Sequence, residues 1–349
     1  MKKSKTILSI VLSLAVAMAM LPGTAMAAGD GSKSVKVKFA AGTPTKIHMV
    51  QTEITATSDL VEKYFPEFKD EEPSGVSFAD VIIAAHIKKY GEKNLKEHVD
   101  ITKYEGMTGL SMSKQFDNTV VGLYYVNDKG VNSVCDEVKA GDKLFAMSYD
   151  DFNYAGLYGS LEKAAYKVKA GKKVSMKVVA DNFGTQIVPT DAVINEVNPK
   201  TGKMTAMKTT YSKGKAAAKF SKVGVHHIAV SGTVKYKDWG GNDVESGFAG
   251  AIAKVTVGLD KAKITKKTAG KKKATLKWKK VVGAKSYQVY RATKKNGKFK
   301  KVATVKKLSY TNKKLKSKKN YYYKVRAYAK ADGKAYTGAF SQVVKVKVK

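Results

Sequence analysis

Leu315-Lys316-Ser317-Lys318-Lys319-Asn320-Tyr321-Tyr322-Tyr323-Lys324-Val325-Arg326-Ala327-Tyr328 reads as a basic loop running into a strand. In an extended chain successive side chains point to opposite faces. Tyr321 and Tyr323 therefore share one face and Tyr322 takes the other. Three adjacent tyrosines also invite a reading as a stacking platform for sugars or bases. The alternation argues instead that Tyr321 and Tyr323 are core residues. Further on, Val343 to Val348 alternates apolar and basic residues, which is strand patterning rather than a membrane span.

Outward from this stretch, order and spacing carry a resemblance. Ala274-Thr275-Leu276-Lys277-Trp278 looks like strand B of a fibronectin type III domain, with Trp278 in the core. Tyr287-Gln288-Val289-Tyr290-Arg291 looks like strand C. Leu315, six residues before Tyr321, resembles the E–F corner, and Tyr323 to Tyr328 strand F. The resemblance spans 262–349. It implies a β-sandwich in which the Tyr321 hydroxyl bonds back to nearby backbone, with Val343 to Val348 as strand G. Gly258 to Lys273 is Lys-rich and is expected to be a linker merging into the first strand.

Upstream, short alternating runs separated by turn signals predict an all-β domain over 161–258. They are Tyr166 to Val168, Val174 to Val179, Lys203 to Thr209, Ala216 to Phe220, His226 to Val230 and Ile252 to Val257. Ser212 to Phe220, followed by Gly224 and Ile228-Ala229-Val230, resembles a stretch of bacterial immunoglobulin-like domains. His226 and His227 adjoin on an expected strand and so face opposite ways, one packed and one exposed. Asp238-Trp239-Gly240-Gly241-Asn242-Asp243, with Glu245, reads as a hairpin tip. Trp239 there is a candidate ligand contact, against ordinary turn chemistry.

The first domain, 35–150, mixes helix and strand. Val35 to Phe39 alternates as a strand, and Asp59 to Pro73 is an acidic loop with a short helical turn. Ser77 and Asp80 form a capping-box-like pair ahead of Phe78, Val81, Ile82 and Ala85 at helical spacing, and Gly91 stops the helix. Strands are expected at Val99 to Ile101, Val120 to Val126 and Lys143 to Met147. Val121 to Asn127 followed by Val138 to Leu144 resembles an uncharacterised bacterial family related to the C-terminal domain of transcobalamin. That family's helical partner domain has no counterpart here, so cobalamin is not implied. Tyr149, Asp150, Asp151, Phe152, Tyr154 and Tyr158 interleave aromatics with acids. They would form a glycan-stacking surface or calcium site, or else a junction of packed aromatics.

The fold expected is thus mainly β and multidomain: an α+β domain followed by an immunoglobulin-like and a fibronectin type III-like sandwich. Lys2, Lys3 and Lys5, the apolar run to Leu21 and Ala25-Met26-Ala27 form the pattern of a cleaved signal peptide over 1–27. Export from a Gram-positive-type bacterium is therefore expected, with no transmembrane anchor after cleavage. Cys135 is the only Cys, which excludes an internal disulfide framework.

Charge is the strongest functional signal. The net charge is +36, yet Asp260 to Lys349 holds 31 Lys and Arg against Asp260 and Asp332, or +29. Such asymmetry points to a polyanionic partner. Only Arg291 and Arg326 are Arg, so diffuse attraction fits better than sequence-specific nucleic-acid reading. The candidate polyanion contacts are Lys271, Lys272, Lys273, Lys294, Lys295, Lys300, Lys301, Lys313, Lys314, Lys318 and Lys319. The plainer alternative is a solvated surface that aids solubility. No catalytic motif is assembled, and no metal or cofactor site is expected. The reading is a secreted, non-catalytic surface or wall-associated protein held to anionic wall polymers. Its alternative is a glycan or small-ligand binder using the first domain or the aromatic loop, with glycans or other surface proteins as partners.

Overall fold

The computed structural model describes residues 32–103, 109–119, 121–131, 133–149, 156–182, 184–238 and 240–349. The expected signal peptide lies outside them. The described chain forms two compact units. One holds Thr52–Ser148 with the strand up to Phe39; the other holds Ala40–Gln51 with Tyr149–Lys349.

The first unit is α+β. A five-stranded sheet runs in the order Ile47–Thr57, Ser34–Gly42, Lys143–Ser148, Val121–Val126, Lys129–Gly130. The strand Ile47–Thr57 was not among those expected, because its polar residues mask the alternation. The helix Phe78–Tyr90 starts where its cap predicts. The Asp80 N–H donates to Ser77 Oγ at 3.0 Å, and the Ser77 N–H donates back to Asp80 Oδ2 at 2.9 Å. Asp80 Oδ1 also accepts the Leu60 and Val61 N–H groups, each at 3.1 Å, tying a second short helix, Leu60–Tyr64, to the first. From Phe78 to His86 the helix is buried all round, as a core helix should be. Phe78 packs edge-on against Phe39 and Tyr124, with centroids at 6.4 and 5.4 Å. The His86 ring is fully satisfied: its Nδ1–H donates to the Ile82 carbonyl at 2.7 Å, and Nε2 accepts the Phe116 N–H at 2.8 Å.

The second unit contains two β-sandwiches with separate cores. In the first, a sheet containing Leu157–Leu161, Lys172–Asn182, Lys215–Phe220 and Asp243–Ala249 faces a sheet containing Ala165–Lys169, Val193–Val197, Gly224–Ser231 and Ile252–Gly258. Met176, Val178, Ile194, Ile228, Phe248 and Val255 fill the space between them. The strand Leu157–Leu161 joins this sandwich by pairing with Phe248 and Ala249. One expectation is corrected here. Lys203 to Thr209 is not one strand: Met204–Ala206 joins one sheet and Thr209–Ser212 the other. The Thr209 hydroxyl makes the corner by accepting from the Ile194 N–H at 2.9 Å and donating to the Met207 carbonyl at 3.0 Å.

In the last sandwich, Ile264–Gly270, Lys273–Trp278 and Ser309–Asn312 form one sheet. Lys300–Val305, Ser286–Ala292, Asn320–Ala331, Lys334–Thr337 and Val344–Lys347 form the other. This three-on-four layout, with a final strand in two pieces, is the fibronectin type III-like arrangement. Trp278 is 3 % exposed and tilts against Tyr287 with centroids 5.5 Å apart. Tyr321 and Tyr323 are buried while Tyr322 is half-buried on the opposite face. The Lys316 N–H donates to the Tyr321 hydroxyl at 3.1 Å, which is the corner bond implied above.

The Lys-rich segment 258–273 is not a free linker. Leu259 and Ala262 are buried in the last core and Ile264–Gly270 is a paired strand, so apolar positions among the lysines decide its structure. Val223 packs on both cores. Gly283 lies at φ +78°, and a Cβ there would stand 2.6 Å from Val223 Cγ2 and 3.0 Å from Ala170 Cβ. Only glycine permits that approach of the two sandwiches. Asp332 Oδ2 accepts the Val225 N–H at 3.0 Å across the same joint.

Candidate polyanion-binding end

Backbone hydrogen bonds gather the lysine-bearing segments singled out above at one end of the last sandwich. The Lys272 N–H donates to the Lys349 carbonyl at 3.1 Å, and the Leu315 N–H to the Lys272 carbonyl at 3.0 Å. The Lys318 N–H donates to the Val348 carbonyl at 2.9 Å. The turn 270–273, the loop 313–319 and the C-terminal residues therefore lie side by side. The loop 293–299 joins them, because Ala292 pairs with Tyr322 at the start of the strand that follows 313–319. Lys300 pairs with Arg291 and rises from the same end. Every lysine proposed from the sequence is exposed here: Lys271 to Lys273, Lys294, Lys295, Lys300, Lys301, Lys313, Lys314, Lys318 and Lys319.

The acids stand elsewhere. Asp332 follows the far end of the strand Asn320–Ala331, in the joint with the preceding sandwich. Asp260 abuts Gly338, next to the strand that pairs with that far end. Among the described residues no lysine of the basic end makes an ion pair with a side chain. No described side-chain carboxylate offsets these cations, and within a Debye length of about 8 Å a polyanion would meet several of them at once. Lys272, Lys314 and Lys318 adopt left-handed φ of 51°, 57° and 59°. Glycine or asparagine holds such positions at lower cost, so charge sits here despite backbone preference.

The other candidates fare differently. Tyr158 is 1 % exposed and Tyr149 8 %, so burial removes both from any ligand surface. Asp150, Asp151, Phe152, Tyr154 and Trp239 lie outside the described residues. The flanks of Trp239 are held by turn bonds: Asp238 Oδ1 accepts the Gly240 and Asn242 N–H groups at 2.9 and 2.8 Å. His226 is buried between Glu196 Oε1 at 2.7 Å and the Lys222 carbonyl at 2.9 Å, while His227 points the other way and is half-buried. Burial lowers the His227 pKa. The two histidines border an open cleft of about 700 Å³ that includes Glu196, Lys200 and Asp332. Burial pushes the Cys135 thiol up, and its sulfur accepts the Leu110 N–H at 3.3 Å. Among the described residues no helix is long and apolar enough to cross a membrane. None of their His, Cys, Asp and Glu side chains group in threes to hold a metal.

Sequence reasoning missed Lys316 and Lys349, which share the basic end; the run 313–319 already contained the first. It also missed what the outward side of Asn320–Ala331 carries. That side was legible in the same alternation that placed Tyr321 and Tyr323 inside.

No protein-family model matches the sequence, and no curated protein matches it. Solved structures of fibronectin type III domains do. The domain from human fibronectin type III domain containing protein 3 is 24% identical, covering 26% of this chain and 86% of its own, at a TM-score of 0.23. An Fn3-like protein from Clostridium thermocellum is 27% identical over 25% of this chain and 91% of its own, at 0.21. A two-domain fibronectin type III segment of chicken tenascin is 13% identical, covers 55% of this chain and 97% of its own, and scores 0.34.

Proposed function

We propose that this is a secreted, non-catalytic modular protein whose last domain holds it to an anionic polymer of the cell wall. One observation carries the reading. The candidate lysines of 271–273, 294–301 and 313–319 lie together at one end, away from the domain's two side-chain carboxylates, while Lys279, Lys280, Lys285, Lys306, Lys307, Lys330 and Lys334 lie at the other. A polymer with recurring phosphates meets that end through many independent point charges. Such binding releases counterions and weakens steeply with salt. The signal-peptide pattern would put the chain in the compartment where such polymers occur. The first unit and the preceding sandwich would then be the parts displayed.

The test is sedimentation of the full chain with purified Gram-positive walls. Binding is expected at low salt, with release at roughly half-molar salt, where the Debye length is only about 4 Å. Deleting 259–349 should abolish sedimentation. Binding that persists in high salt, or without the last domain, would shift the function to a specific pocket elsewhere.

A further inference from the structure

The larger sheet of the last sandwich turns one face to the core and one outward. The outward face is not the lysine-studded surface that solubility alone would produce. Register places Gln288 opposite Arg326 and Tyr290 opposite Lys324 on neighbouring strands. The Arg326 guanidinium lies 5.3 Å from the Tyr290 ring centroid and 5.0 Å from that of Phe340. Its Nε–H donates to Gln288 Oε1 at 2.8 Å and its Nη2 to the Tyr290 hydroxyl at 2.9 Å. Lys324 Nζ lies 4.1 Å from the Phe340 centroid and 4.5 Å from Phe299. The Tyr290 and Phe340 rings meet edge to face, with centroids 5.0 Å apart at 86°.

Two features of this cluster need explaining. First, one of the two arginines in the chain is fixed here by rings and hydrogen bonds, and among the described residues no carboxylate pairs with it. A planar fork held in one orientation reads a carboxylate or sulfate geometrically, which a mobile lysine does not. Second, the rings are half-buried on a solvent-facing sheet and retain open surface. An accessible ring face beside a fixed cation suits a ligand that repeats both a ring and an acid.

We infer that this outer face is a binding site for an acidic polysaccharide. A pyranose face would stack on the Phe340 ring with Tyr290 walling its side, and its acid group would pair with Arg326 and Lys324. The inference rests on the polyanion reading above and narrows it from charge to chemistry. A second copy of this chain does not fit, since the domain carries +29 and would repel itself. A polyanion without rings would engage the lysines but gain nothing from the aromatic cluster.

The test uses the full chain with two probes, polygalacturonate and inorganic polyphosphate of matched charge number, titrated across a salt series. Polygalacturonate binding should outlast polyphosphate binding as salt rises. Phe340→Ala should weaken polygalacturonate at least fivefold and leave polyphosphate within twofold. Arg326→Lys, which keeps the charge and loses the fork, should do the same, and serves if Phe340→Ala melts early. Exchange broadening or shifts of the Arg326 Nε–H resonance should follow polygalacturonate alone. Equal losses for both probes, or none for either, would overturn the inference while leaving the polyanion reading intact. Failure of both probes to bind at low salt would overturn the polyanion reading itself. Retained polygalacturonate binding with an unmoved Arg326 resonance would place the sugar elsewhere and reject this face.

Discussion

Replacing Lys272, Lys314 and Lys318 together with glycine separates charge from fold. Each of these residues sits in the left-handed region. An L-residue there costs about 1–2 kcal/mol, and glycine's extra freedom in the unfolded chain costs roughly 0.5–1 kcal/mol. Each replacement should therefore be neutral or stabilising by about 1 kcal/mol. The same change removes three exposed charges. At about 1 kcal/mol per lysine beside an anionic surface, affinity for polyphosphate or teichoic acid should fall roughly 100-fold. The slope of log affinity against log salt should also lessen by about two, at ~0.7–0.9 per contact, if most of the three touch phosphates. Thermal melting and a binding titration at several salt concentrations measure both effects on one sample. An unchanged affinity and slope in a protein that melts no lower would refute the basic end as the contact surface. A large loss of stability would refute the account of its turns.

Other outcomes follow from the cores. Trp278→Ala should cost about 3–5 kcal/mol in the denaturation of the last sandwich, whereas Lys277→Ala, exposed on the other face, should change little. Tyr321→Phe removes the acceptor of the Lys316 N–H and should cost about 1 kcal/mol by the same measurement. In the first unit, burial raises the Glu72 carboxyl from 4.5 to about 7. Between those values the folded state keeps a proton that the unfolded chain has lost, so stability should fall as pH rises through this window. Glu72→Gln should flatten that fall in melts from pH 4.5 to 8. His86 works in the opposite sense: burial lowers it to about 3, so stability should also decline as pH drops below about 6.5. His86→Phe should remove that acid limb in the same melts if the fold survives.

What was legible in the sequence was whatever depended on local periodicity. The helix after Ser77, the Tyr321 corner and the strand ending at Trp278 each carry their signal within a few residues. Segments fixed by distant partners were not legible. Ile47–Thr57 has no clean alternation and is a strand because Ser34–Gly42 pairs with it. The break at Met207 depends on Ile194, which lies far off in sequence. The lysines of 258–273 concealed Leu259, whose burial carries the last core back before residue 262. The basic end was legible in composition alone, but its convergence needed the hydrogen bonds among Lys272, Lys318 and the C-terminus. The pairing of Arg326 with Tyr290 and Phe340 also needed tertiary structure.

The strand Asn320–Ala331 runs unbroken from Lys319 at the basic end to Asp332 at the joint, and its twelve residues span about 40 Å. A protein tethered to a polymer at the basic end and pulled through its neighbouring sandwich would be loaded parallel to this strand, the chain entering the domain at Leu259 by the far end. The strand's hydrogen bonds to Ser286–Ala292 and to the two pieces of the last strand lie across that pull. They would have to shear together instead of opening one at a time like a zip. If the domain is tethered as proposed, a pulling force would thus meet its stiffest direction, and the polymer contacts should let go before the fold does.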